Sequence, residues 1–288
     1  MVKLVDTKDL KSLPFGSASS SLAEGTKLKL MIKLHFAFDK TNKSQSLRKI
    51  ILKKYKNYSP KKANIIVVAG GDGFMLNCLK KYLKYNKSFY GINCGTFGFL
   101  MNRYVSENLI SKINKSNKTT INPLTLETIN KNSGKKKLIA INEVSLFRQS
   151  RQAASIQLNI GKKIIIKKLI GDGVLVSTPA GSTAYNLSVY GPILSLNSGK
   201  LAITPISPFR PRRWRGKIVS NKSHIKIKNI DVHKRPVAAV ADNIEIRNIK
   251  YLSIKINKKI KINLLHDKDR SLIKKIKIEQ AMKNINQS

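Results

Sequence analysis

Three short segments combine residue types at spacings that could do chemistry. The first is Gly70-Gly71-Asp72-Gly73. It follows Asn64–Ala69 (NIIVVA), a contiguous apolar run of the kind that forms a strand buried on both faces. A helical pattern from Phe74 to about Tyr85 comes next. Glycines permit unusual dihedrals and close backbone approach, and a helix start offers free N–H groups and the favourable end of its dipole to an anion. Turns at the carboxyl ends of strands in open sheets are where ligands bind. So far this describes a phosphate cradle. Asp72 does not suit a plain cradle, because at its ordinary pKa of about 3.9 it is ionised and repels phosphate. A carboxylate there can instead partner a sugar hydroxyl or a metal, and phosphoryl transfer needs a positioned acceptor for the attacking hydroxyl's proton. A turn aspartate bonded to its own backbone is the plain structural alternative. Neither a Walker A loop nor G-x-G-x-x-G is present.

The second segment is Asn142-Glu143, expected inside one strand, Leu138–Phe147 (LIAINEVSLF). An amide and a carboxylate in an apolar strand could read an adenine edge and ribose hydroxyls; a bulge with satisfied polar groups is the alternative. The third runs from Gly171-Asp172-Gly173 through a strand to Ser177-Thr178-Pro179-Ala180-Gly181-Ser182-Thr183-Ala184-Tyr185-Asn186-Leu187-Ser188. It predicts a Pro/Gly turn and a helix over Ser182–Val189 whose hydroxyl-rich start suits a ligand, or simply caps the helix.

The elements that must position these groups change character along the chain. A strand is expected at Met31–Phe38, a helix near Lys43–Tyr55 and a strand at Ser88–Ile92, with glycine punctuation from Gly91 to Gly98. That strand-turn-helix-strand rhythm predicts an open, Rossmann-like α/β sheet over 31–115. From 116 to 265 short alternating strands and turn signals such as Asn132-Ser133-Gly134 predict an antiparallel all-β domain. Residues 266–288 read as a helical tail, Ser271–Lys283. Residues 1–30, rich in Ser and Gly, resemble a transfer-RNA gene read as protein and lack the pattern of a signal or transit peptide. Translation is therefore expected to start at Met31.

Composition narrows the classes. Fifty-six Lys+Arg against 15 Asp+Glu give a net charge of +41. The lysines are spread among abundant Asn and Ile, which fits compositional drift, and no nucleic-acid motif accompanies them; a milder consequence is a field that attracts polyanions. Two distant cysteines, Cys78 and Cys94, make neither a disulfide framework nor a zinc pattern, and no protein metal site is expected. A cytoplasmic location follows by default. No stretch approaches the roughly 20 apolar residues of a membrane helix.

In order and spacing the three segments resemble the NAD kinase family, in its bacterial form. GGDG, NE, DG and then STPAGSTAYNLS with Gly191-Pro192 follow the family pattern, and the likeness spans Met31 to about Ile262, including Pro205–Gly216. The resemblance implies a two-domain fold, with Asp72 as base or orienting acceptor for the adenosine ribose 2′-hydroxyl. It implies that Gly73 brings backbone to the dinucleotide and that Asn142 and Glu143 bind its adenosine part. Asp172, Ala180, Thr183, Ala184, Tyr185, Asn186, Leu187 and Ser188 would line the site. NAD would be the acceptor and ATP or another phosphoryl donor such as polyphosphate the donor, Mg²⁺ or another divalent metal would accompany it, and the chain would form a homodimer or homotetramer. Phe74 replaces the usual Thr or Ser, and Ala180 the usual Thr; both sit beside the site and bear on donor preference. A lipid kinase of the diacylglycerol or sphingosine type shares the GGDG turn but should lack the NE and GSTAY segments. A basic nucleic-acid-binding protein rests on the charge alone.

Overall fold

The computed structural model describes residues 32–95, 98–104, 108–132, 134–268, 274 and 275. The 1–30 extension lies outside the described residues, as does the expected tail helix apart from helical Lys274 and Lys275.

The first half alternates as its sequence predicts. Strand β1 (Leu34–Phe38) leads to helix α1 (Asn42–Lys54), β2 (Ile65–Gly70), α2 (Asp72–Tyr82), β3 (Ser88–Asn93) and α3 (Leu109–Lys115). Helix α1 starts at Thr41, whose side chain accepts from the Ser44 amide, and ends on Lys53 and Lys54, which suit the negative end of the dipole. Helix α2 buries Met75, Leu76, Cys78, Leu79 and Tyr82, a stripe at helical spacing. Each large apolar side chain so buried contributes about 1.5–3 kcal/mol. The helix begins two residues before the expected Phe74 and relaxes at Tyr82 into a 3₁₀ turn, Leu83–Tyr85.

The second half is built of strands. In order they are β4 (Asn117–Ile121), β5 (Leu124–Asn130), β6 (Lys135–Ala140), β7 (Glu143–Arg148), β8 (Ala154–Ile160), β9 (Lys163–Gly171) and β10 (Gly173–Ser177). A short helix α4 (Tyr185–Ser188) follows, then β11 (Lys200–Ile206), β12 (Lys217–Ser220), β13 (Ile225–Asn229), β14 (Val237–Ala241), β15 (Ile244–Ile246), β16 (Ile249–Ile256) and β17 (Ile262–His266).

Among the described residues these strands make three sheets. The first runs β1-β2-β3-β17-β4, with β1, β2, β3 and β17 parallel and β4 antiparallel. Its central strands carry contiguous Ile and Val because both faces are covered. Strands β4 and β17 lie beyond residue 115 in sequence yet pair into this sheet. The other two sheets, β12-β11-β10-β7-β14-β15 and β6-β5-β16-β13-β8-β9, are wholly antiparallel. They share one apolar core, in which Val144, Leu146 and Val174 of one sheet join Leu126, Ile156 and Leu252 of the other. The fold class is thus the expected one: an α/β sheet joined to an antiparallel β sandwich.

Two local expectations are corrected. Leu138–Phe147 is not one strand: β6 ends at Ala140, β7 begins at Glu143, and the chain passes from one sheet of the sandwich to the other between them. The expected helix over Ser182–Val189 shrinks to the four residues of α4, because Tyr190 turns to a positive φ of 60° and the Gly191 amide closes back on the Asn186 carbonyl. Strands β4, β11, β12 and β17 and helix α3 were not foreseen.

Candidate active site

Gly71 is the N-cap of α2, in an extended conformation open to any residue (φ −98°, ψ 178°), and none of Gly70, Gly71 and Gly73 has a positive φ. The expected need for unusual dihedrals therefore does not apply here; the turn needs room instead. A Cβ on Gly70 would stand 2.7 Å from the Asp39 carboxylate and 2.8 Å from the Phe74 ring. At Gly71 and Gly73 a Cβ would meet nothing within 4 Å, so both leave open space beside the helix start.

Asp72 is the first residue of α2, and its side chain is held from across the turn. The Phe99 amide donates to Oδ2 at 2.6 Å and the Leu100 amide to Oδ1 at 2.9 Å. Two amides fix the carboxylate plane, while each oxygen keeps acceptor capacity for a further donor. Burial pushes the Asp72 pKa above its ordinary value; the Leu100 and Phe99 hydrogen bonds and the charge of Lys275 oppose the rise.

The sheet change at Ile141-Asn142-Glu143 turns on Asp242, a residue that sequence reasoning missed. Its carboxylate accepts the amides of Ile141 (2.9 Å), Asn142 (2.8 Å) and Glu143 (3.3 Å). It also meets the Lys80 ammonium at 2.9 Å, and its side chain is 1% exposed. Lys80 lies eight residues along α2 from Asp72, about 12 Å at the helical rise. It donates as well to the Ala241 carbonyl and the Asn243 side chain, both at 3.2 Å. The Asp72 helix is thereby tied to the Asn142-Glu143 turn. A sequence sees only Ala241-Asp242-Asn243 between two short strands, a turn signal with no sign of a distant lysine.

The third segment packs on the second, backbone to backbone. The Thr178 amide donates to the Asn142 carbonyl (2.9 Å) and the Thr178 hydroxyl to the Ile141 carbonyl (2.8 Å). A Cβ on Gly181 would stand 2.3 Å from the Asn142 oxygen, so glycine alone permits this approach. Ala180 and Ile141 are buried in one cluster with Met75, Leu100 and Met101, against which Phe74 packs.

The expected site residues divide by what their polar atoms do. Asn142 Oδ1 and Glu143 Oε2 are buried and have no hydrogen-bond partner. Such atoms are costly unless something fills the space beside them, and a ligand with donors would satisfy them. Burial, then the Asp242 charge, pushes the Glu143 pKa from 4.5 up to about 8, with Lys80 opposing. Glu143 is therefore protonated at neutral pH and can donate as well as accept. The Tyr185 phenol is pushed up by burial and by the charges of Asp172 and Glu143, which places the three residues in one neighbourhood. Asp172 forms an ion pair with Arg148 at 2.5 Å. Asn186 behaves differently. It is fully buried, its amide donates to the Ser182 (3.1 Å) and Pro192 (2.9 Å) carbonyls, and its Oδ1 accepts from Thr204 (2.7 Å). Its side chain holds the fold rather than facing the site. Thr183, Ala184 and Leu187 are half-buried around it, and Gly73 is exposed at the helix start. Ser188 is exposed and lines an open cavity of about 680 Å³ with Tyr190, Thr204, Trp214 and the two guanidinium groups of Arg212 and Arg215.

The parallel sheet thus ends in a Gly-Asp helix start that an ion pair couples to unsatisfied polar groups on a β sandwich. The ATP-NAD kinase C-terminal domain model matches residues 141–262. The NAD kinase of Brucella suis is 43% identical over 247 residues, which cover 86% of this chain and 96% of that one. The chain belongs to the NAD kinase family. Two solved structures share the fold. One is yeast NADH kinase complexed with NADH (24% identity, TM-score 0.66, 77% of this chain and 68% of that one). The other is an NAD kinase from Archaeoglobus fulgidus in complex with ATP (19%, TM-score 0.67, 83% and 95%).

Proposed function

We propose that the chain transfers the terminal phosphoryl group of ATP to the 2′-hydroxyl of the adenosine ribose of NAD, giving NADP and ADP. The observation that carries the assignment of roles is the Asp72 carboxylate, fixed by two amides at a helix start that Gly71 and Gly73 leave open. In the reaction the 2′-oxygen attacks the γ-phosphorus, the bond to the β–γ bridging oxygen breaks, and the hydroxyl proton passes to Asp72. Burial raises the basicity of Asp72, which suits that transfer. Mg²⁺ bound to the donor phosphates would offset their charge as part of that substrate.

Asn142 Oδ1 and Glu143 Oε2 are the atoms we assign to the adenosine part, because both await a partner. Protonated Glu143 can donate to a ring nitrogen or hydroxyl oxygen while its other oxygen accepts. Asp172, Tyr185, Ser188 and the backbone of Thr183, Ala184 and Leu187 line the remainder, and Arg212 and Arg215 suit the pyrophosphate. The reading includes a cytoplasmic location and a homo-oligomer. Ile164, Ile218 and Ile244, 46%, 46% and 40% exposed, sit on the edge strands β9, β12 and β15 and supply apolar surface for assembly. No described helix is long and apolar enough to cross a membrane.

Asp72→Asn tests the assignment. Turnover should fall by about 10²–10⁴-fold, the range for losing a general base. A loss under tenfold with unchanged affinity for NAD would leave Asp72 a positioning role alone.

A further inference from the structure

Lys275 reaches the Asp72 turn. The Lys275 ammonium donates to the carbonyls of Gly98 and Phe99, both at 2.9 Å, and to that of Met101. An ammonium carries three protons, and three carbonyls receive them. The Gly98 carbonyl and the Phe99 amide belong to one peptide unit, and the Phe99 carbonyl and the Leu100 amide to the next. These are the two amides that hold Asp72. Each peptide unit therefore bridges the cation on its oxygen side and the carboxylate on its nitrogen side.

We infer that Lys275 is a positioning residue for Asp72, acting through the Gly98–Phe99 and Phe99–Leu100 peptide units. A trans peptide is rigid and planar, with C=O and N–H pointing in opposite directions. Holding the oxygens thus aims the hydrogens. A cation on the oxygen also polarises the amide and strengthens its bond to the carboxylate. The distal end of the same loop is secured separately. Asn102 exchanges backbone bonds with Gly91 and Asn93 at 2.8 Å, its side chain donates to the Leu265 carbonyl at 3.0 Å, and it accepts from the Asp267 amide at 3.1 Å. Lys275 supplies the hold nearer Asp72. The charge of Lys275 also opposes the rise that burial imposes on the Asp72 pKa. The inference rests on the role given to Asp72 above and deepens it: Lys275 completes the geometry of the accepting carboxylate.

The test compares Lys275→Met, Lys275→Arg and Asp72→Asn in the full chain. Lys275→Met should lower kcat by about 10–100-fold, the scale of a catalytic group displaced by an ångström or so. KM for NAD should stay within about threefold, because the groups that bind the adenosine are untouched. The acid limb of the kcat/KM profile should move to higher pH, since burial of Asp72 is then less opposed. Lys275→Arg should recover most of the rate, as a guanidinium also offers several donors to carbonyls. Wild-type turnover in Lys275→Met, or a loss with an unmoved acid limb and no rescue by Arg, would overturn the inference. If Lys275→Met does not fold, Lys275→Gln carries the same test, because it keeps a donor and removes the charge; an unmoved acid limb there counts against the proposal. Failure of the underlying reading looks different. Asp72→Asn would then keep its turnover, whereas an inactive Asp72→Asn beside an unaffected Lys275→Met rejects only the role of Lys275.

Discussion

Burial raises the pKa of both Asp72 and Glu143, and the two carboxyl groups then differ in what opposes it. Two amide donors and Lys275 oppose the rise at Asp72, whereas Glu143 has only Lys80 against it and an adjacent carboxylate, Asp242, that adds to the rise. Glu143 titrates at about 8 in the folded chain against 4.5 ordinarily. The folded state therefore holds a proton through that window which the unfolded chain has released. Stability from this group is full below pH 4.5 and is lost as pH rises through 8. Glu143→Gln should flatten that part of the stability curve, seen as a smaller fall in melting temperature between about pH 4 and about pH 8.5, which bracket the rise from 4.5 to about 8. An unchanged curve would place the Glu143 proton elsewhere. At this scale the sequence showed the chemistry-bearing types but not their state. Asp72, Asn142 and Glu143 stood out because polar groups interrupted glycine or apolar runs. The ring of donors on Asp72, the protonation of Glu143 and the engagement of Asn186 by Ser182, Pro192 and Thr204 depend on neighbours distant in sequence.

Elements joined by Asp242 show why local pattern reached only part of the fold. The contiguous Ile and Val of β2, the stripe of α2 and the alternation of β5, β8 and β16 are decided within a few residues, and they were legible. The break between β6 and β7 is decided by a carboxylate about a hundred residues away, so LIAINEVSLF read as one strand. Strand β11 carries Pro205, which argues against a strand from local pattern. Strands β4 and β17 are short, and β17 pairs with strands far back in the sequence, β3 and β4. The Asp242 hub has a measurable weight. Asp242→Ala removes the acceptor of three amides and strands the Lys80 charge, and should cost about 3–5 kcal/mol in denaturant unfolding, as for one broken partner of a buried ion pair. Lys80→Met should separate affinity from stability: with Asp242 left unpaired, dinucleotide binding should weaken because the Asn142-Glu143 turn loses its tie to α2. A variant with unchanged NAD affinity would show that the tie is structural alone.

Across the whole molecule the net charge of +41 acts on every polyanion in solution. Association with ATP should therefore fall as salt rises, since screening shortens the reach of the field to about 8 Å near physiological ionic strength. A kcat/KM for ATP that is flat from low to physiological salt would confine the charge to composition. The proposed function rests not on the charge but on the Asp72 carboxylate and on the unsatisfied polar atoms of Asn142 and Glu143. The most direct test of the central claim is product identification with purified chain, NAD, ATP and Mg²⁺, run beside an NAD analogue lacking the adenosine 2′-hydroxyl. NADP phosphorylated at that 2′-oxygen is the expected product, with none from the deoxy analogue and none after chelation of the metal. Phosphorylation at another hydroxyl, or equal turnover of the deoxy analogue, would contradict it.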